Sequence, residues 1–92
     1  MYSKQVVIEN ATGLHARPAS DFVNLAKRYN SKITIQNIDE EGSALANAKS
    51  IVMLLAQGYC QGTHVEISAN GEDEQEAVEK LVELIQSKFG EE

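Results

Sequence analysis

Apolar positions along the chain change their period several times, and each change marks an element. "YSKQVVIE", Tyr2 to Glu9, is dense in β-branched residues and predicts a first strand. "ATGL" then breaks the pattern, since Gly13 reaches a positive φ without steric penalty. From Ala16 to Tyr29 the residues Ala19, Phe22, Val23, Ala26 and Tyr29 recur at helical spacing, and Asn30 with Ser31 ends the run. "KITIQNI" alternates Ile33 and Ile35 with polar residues, the mark of a half-buried strand. After the polar turn "DEEGS", "ALANA" predicts a short, weak return strand.

"IVMLLAQG", Ile51 to Gly58, follows Ser50 and predicts a short helix with Ser50 as N-cap and Gly58 as terminator. A buried strand fits the same run on periodicity alone. "THVEISA" alternates Val65, Ile67 and Ala69 as a strand, and "NG" turns the chain. In the last segment Ala77, Val78, Leu81, Val82, Ile85 and Phe89 form one helical stripe. Asp73 and Glu76 make a capping-box-like pair at its start, joined there by Glu72 and Glu74, and Lys88 complements the dipole near its end. The order βαββαβα predicts an α+β, open-faced two-layer sandwich: a four-stranded antiparallel sheet with three helices on one face. The other face then meets water.

Length and charge narrow the chemistry. Ninety-two residues make a single domain, 1–92, with one modest core and no room for a deep, enclosed cavity. Surface chemistry is therefore expected. The net charge of −6 argues against general binding to nucleic acid or to an anionic membrane surface. It is unevenly spread: residues 1–38 carry five basic and two acidic side chains, +3, whereas residues 39–92 carry three and twelve, −9. Cys60 is the sole cysteine and forms no internal disulfide, which fits a reducing, cytoplasmic setting. It is expected as a small packing residue. The start lacks a secretory apolar region, and "IVMLLA" is far short of a membrane span, so no membrane insertion is expected.

The basic part contains "GLHARP", residues 13–18. A helix starting near Ala16 leaves backbone N–H groups without intrahelical partners, and with the helix dipole they make an anion site. Pro18 suits a first turn, where its missing N–H is no loss, and Arg17 stands at the helix boundary because it precedes proline. His15 lies just outside that terminus. Its neutral ring is a nucleophile, a phosphoryl group on it faces the amides of Ala16 and Arg17, and Arg17 adds a permanent charge. A reversible phosphohistidine is one reading; an ordinary cap or surface histidine is the other. Metal binding finds no ligand cluster, since His64 lies alone on a strand. A Ser–His hydrolase lacks a third member and a pocket.

"TGLHARPAS" closely resembles the phosphohistidine signature of HPr, the small phosphocarrier of the bacterial phosphoenolpyruvate-dependent sugar phosphotransferase system. The resemblance continues through "NAKSIV" and "VEISANGEDEQEAVEKL" and covers essentially the whole chain. It implies the same βαββαβα fold. It also implies that His15 is phosphorylated on Nδ1 by phospho-enzyme I and passes the group to enzyme IIA domains, with Arg17 assisting. No cofactor is implied and a monomer is expected. His15 sets the chain apart from Crh-type paralogues, which lack the active histidine.

Ser50 in "AKSI" is an N-cap by position and also resembles the site used by HPr kinase/phosphorylase, which makes that enzyme an expected partner. A phosphate there adds roughly −1.5 to −2 charge at a helix start and repels a phosphorylated partner. The run after Ser50 is too apolar to face inward throughout. The resemblance supports partner contact at Ile51 and Val52, and Thr12 and Leu55 join them as expected docking residues. Two departures from the family bear on a catabolite-control regulator as partner. Met53 stands where a small residue is usual and Gln57 where a leucine is, and "QNIDEEGSALANA" is longer than the usual hairpin. Two other functions remain open: a regulatory module acting through phospho-Ser50, and the carrier of a nitrogen-type phosphotransferase chain.

Overall fold

The computed structural model describes residues 1–90. The elements are β1 (Tyr2–Val7), α1 (Ala16–Ala26), β2 (Lys32–Asn37), β3 (Ala46–Asn47), α2 (Ile51–Gln57), β4 (His64–Asn70) and α3 (Glu74–Gln86), with a 3₁₀ turn at Lys88–Gly90. The strands form one four-stranded antiparallel sheet with three helices, as the element order predicts, and the sheet order is β1-β4-β2-β3.

Register explains which face is covered. Val6 lies opposite Val65, Ile35 opposite both Ile67 and Ala46, and Ile33 opposite Ala69, so the buried alternate positions of four strands share one face. Phe22 and Val23 of α1, Leu54 of α2, and Val78, Leu81 and Ile85 of α3 close over them. The opposite face presents Ser3, Gln5, Thr34, Gln36, Glu66 and Ser68, none of them buried, and there Ser3 Oγ donates to Ser68 Oγ at 2.8 Å.

Several boundaries differ from the sequence reading, and three have a visible cause. β1 stops at Val7, because Ile8 turns to the chain before β4: its N–H donates to the Thr63 carbonyl at 2.9 Å, and its carbonyl accepts from Gly62 N–H at 2.7 Å. α1 ends at Ala26 and not Tyr29, since Arg28 and Tyr29 bond back three residues, to the Leu25 and Ala26 carbonyls, and tighten the last turn. α3 ends at Gln86 because Lys88 and Phe89 have φ of 58° and 55°, outside the right-handed helix. Phe89 therefore does not extend the α3 stripe, and the last turn of α3 holds no basic residue for the dipole.

The capping box is also corrected. Asp73 is the N-cap of α3 but makes no side-chain bond to its own helix. Its carboxylate accepts instead from Asn30 N–H at 2.9 Å, Ser31 N–H at 3.0 Å and the Ser31 hydroxyl. These donors lie just past the end of α1, and Ser31 is fully buried, so it needs an acceptor inside the protein. Asp73 thus ties the exit of α1 to the start of α3.

The Ser31 hydroxyl foremost, then the Asn30 amide, hold the Asp73 carboxyl below its ordinary value of 3.8. A depressed carboxylate contributes stability fully above its unfolded pKa and loses it as pH falls through the lower folded value. Asp73→Asn is therefore expected to flatten part of the acid limb of stability below about pH 4, read as urea midpoints against pH. An unchanged acid limb would contradict this role.

Candidate functional site

The site begins with Gly13. Its φ is +65°, and a Cβ there would lie 2.5 Å from the Tyr59 carbonyl oxygen and 2.9 Å from Cys60 Cα. Only glycine permits so close an approach to backbone. The loop is held on both sides: Leu14 N–H donates to the Tyr59 carbonyl at 2.9 Å, and the buried Asn10 donates from Nδ2 to the Gly13 carbonyl at 2.9 Å and to Thr12 Oγ1 at 3.1 Å. Leu14 is fully buried and anchors the segment.

His15 follows as the N-cap of α1, with extended backbone (φ −123°, ψ 158°) and no side-chain bond to the helix. It is half-buried. The amides of Ala16 and Arg17 head the helix, where no carbonyl one turn back can accept from them. An anion at this terminus would meet N–H dipoles and the positive helix end, with no acidic side chain in the first turn. Arg17 lies inside α1 and not at its boundary, and its side chain is exposed. Pro18 is buried as the third helical residue, a position whose N–H would have had no intrahelical acceptor.

α2 runs past this site. Ser50 is its N-cap, with Oγ accepting from Met53 N–H at 3.3 Å, and Gly58 ends it in the left-handed conformation. Helix, and not buried strand, is the outcome because those two caps bracket the run. Only Leu54 of α2 is buried, while Ile51, Val52 (72% exposed), Met53 and Leu55 face solvent. Before α2, Lys49 Nζ donates to the Tyr29 carbonyl at 2.7 Å, past the end of α1, whereas Tyr59 after α2 is bonded to Leu14 beside His15. Ser50 and His15 are thus set at opposite ends of α2, a helix about 10 Å long. Thr12 is exposed on the loop that carries His15. Because the Ser50 cap bond is long, Ser50→Ala is expected to lower stability by only about 0.5–1 kcal/mol, checked by urea unfolding.

Two sequence expectations change around α2. Cys60 is exposed on the turn, its thiol donating to the Gly58 carbonyl at 3.2 Å, so it is not a packing residue. Tyr59 does the packing: it is 1% exposed, its hydroxyl donates to the Ile35 carbonyl at 3.3 Å, and burial pushes its pKa up to about 12. Sequence reading also missed Phe89. With Gly90 it turns back beside the start of α1, where Arg17, Pro18, Asp21, Phe89 and Gly90 line a depression of about 370 Å³. The only sequence signal was Gly90, since the left-handed Lys88 and Phe89 are not glycines. His64 is paired instead, with Nδ1 2.9 Å from Asp39 Oδ1.

The described residues set a helix terminus suited to anions and an exposed arginine beside an open depression, a surface able to hold a charged group. Such a surface suits a protein that holds a charged group where partners can reach it. Known proteins agree. Residues 2–87 match the family described as the PTS HPr component phosphorylation site. The chain is 51% identical over 85 residues to the phosphocarrier protein HPr of Haemophilus influenzae, covering 92% of this chain and 95% of that one. It is 38% identical over 88 residues to the phosphocarrier protein NPr of Proteus mirabilis, covering 96% and 94%. The crystal structure of HPr-C-His from Thermoanaerobacter tengcongensis superposes with a TM-score of 0.91 at 47% identity, covering 100% of this chain and 99% of that one. The chain belongs to the HPr family: it is a phosphocarrier of the phosphotransferase system and not a catalyst. Among the described residues no helix is long and apolar enough to cross a membrane.

Proposed function

We propose that His15 is the phosphoryl acceptor, loaded on Nδ1 by phosphorylated enzyme I and discharged to enzyme IIA domains during sugar uptake. The observation that carries this reading is the place of His15: it caps α1 by backbone alone, leaving its ring uncommitted beside the leading amides of the helix. A neutral ring nitrogen attacks phosphorus, the new P–N bond forms as the bond to the donor breaks, and the donor leaves with that electron pair. In the next transfer phosphorylated His15 is the donor: its P–N bond breaks as an acceptor group of the IIA domain bonds to phosphorus, and the ring nitrogen leaves with the electron pair. Between the two, the Ala16 and Arg17 amides and the Arg17 guanidinium hold the phosphoryl oxygens, so transfer depends on position and charge.

Thr12, Ile51, Val52 and Leu55 form the docking surface in this reading, supported by their exposure on the loop and helix next to His15. Ser50 is a regulatory site for an HPr kinase/phosphorylase, and its phosphate repels a loaded enzyme I. A catabolite-control regulator would have to accept Met53 and Gln57 on the same helix. The cytoplasm is the expected setting. Identity of 51% to an HPr against 38% to an NPr favours sugar-type over nitrogen-type partners.

The test is direct. With enzyme I and phosphoenolpyruvate, intact mass is expected to rise by one phosphoryl group, labile to acid as a P–N bond is, and to fall again when an IIA domain is added. An unchanged mass would overturn the reading.

A further inference from the structure

The sharp turn after α3 is held in a conformation that side chains avoid. Lys88 and Phe89 both sit at positive φ (58° and 55°), although neither is glycine. Gly90 N–H closes the turn on the Ser87 carbonyl at 3.1 Å. Two consecutive left-handed residues persist only where their surroundings over-determine them. Here the surroundings are the core, against which Phe89 packs half-buried, and the start of α1. The result is that Phe89 and Gly90 wall one side of the depression whose other walls are Arg17, Pro18 and Asp21.

Arg17 needs such a wall. It is exposed, and a free arginine side chain holds many rotamers, so a charge aimed at a phosphoryl group must first be ordered. Asp21 stands four residues on, on the same face of α1, and offers an opposite charge. An aromatic face beside the guanidinium or its stem adds packing and cation–π attraction. We propose that Phe89 is a positioning residue for Arg17: the left-handed turn lays its ring along the depression and restricts the guanidinium to the side of α1 from which it reaches His15. This rests on the carrier reading of His15 and Arg17.

The test is a double-mutant cycle read as the rate of phosphoryl uptake from phospho-enzyme I. Phe89→Ala is expected to slow uptake roughly tenfold at saturating enzyme I, as a misplaced assisting group does. In an Arg17→Ala background the same change should have no further effect, and Phe89→Tyr should restore the rate. Ring-current shifts on the Arg17 side-chain protons, present in the wild type and lost in Phe89→Leu, give a second readout that does not depend on transfer. A wild-type rate in Phe89→Ala, or an equal loss with and without Arg17, overturns the proposal while leaving the carrier reading intact. Failure of the wild type to take phosphate would instead remove the carrier reading, and the ring-current shifts would still decide whether Phe89 orders Arg17.

Discussion

Replacing His15 by alanine is expected to abolish phosphoryl uptake from enzyme I and phosphoenolpyruvate while leaving the fold in place. The ring forms no cap bond and is only half-buried, so its loss is expected to change stability by less than about 1 kcal/mol. The other histidine, on β4, is committed elsewhere, with its Nδ1 2.9 Å from Asp39 Oδ1. Intact mass should therefore show no added phosphoryl group, with an unfolding midpoint close to the parent. A folded His15→Ala protein that still gains one equivalent would place the acceptor elsewhere. Arg17→Ala separates holding from accepting. It keeps the nucleophile and should still be loaded, but on the order of 10²-fold more slowly, as when one oriented donor is removed from a developing charge.

Gly13→Ala is expected to be strongly damaging for a single added methyl group. The added Cβ would meet the Tyr59 carbonyl oxygen at 2.5 Å and Cys60 Cα at 2.9 Å. Both are backbone atoms and cannot rotate away. The left-handed φ adds a conformational penalty of about 1 kcal/mol or more for any L side chain. Relief requires the loop to leave Tyr59, which breaks the Leu14 N–H bond and moves the residue that anchors His15. A loss of about 2–4 kcal/mol is expected in urea unfolding, together with slower loading because the acceptor is displaced. Gly62 supplies the control. Its φ is +90°, but a Cβ there meets nothing within 4 Å, so Gly62→Ala should show the backbone penalty alone. Equal losses at the two glycines would mean that the approach to Tyr59 is not what requires glycine at position 13.

How far the fold could be read in advance depended on whether an element was specified by its own neighbours. β2 and β4 alternate strictly, so their buried faces followed from spacing, and Ile33, Ile35, Val65 and Ile67 are buried as expected. α2 was legible from Ser50 and Gly58 because capping is a local affair, settled within one turn. Asp73 shows the opposite case. Its spacing to Glu76 fits a capping box, yet the carboxylate serves Asn30 and Ser31, more than forty positions earlier in the chain. A local motif competed with donors brought up by folding, and the charge-assisted bonds across the chain won. Cys60 failed for a related reason: small apolar character suggests burial, but Tyr59 already fills the space beneath the turn.

The histidine loop divides in the same way. Gly13, His15, Arg17 and Pro18 announce a bend, a ring and a helix start from their own geometry, and the element order alone predicts a sheet with helices on one face. Those features are properties of short stretches and of alternation, which need no distant partner. Tertiary structure decided that Tyr59 and Cys60 press against Gly13, that Ser50 stands at the far end of α2 from His15, and that Phe89 returns to the side of Arg17. Each of these joins residues tens of positions apart, and only the packing of three helices on one sheet sets where such residues meet.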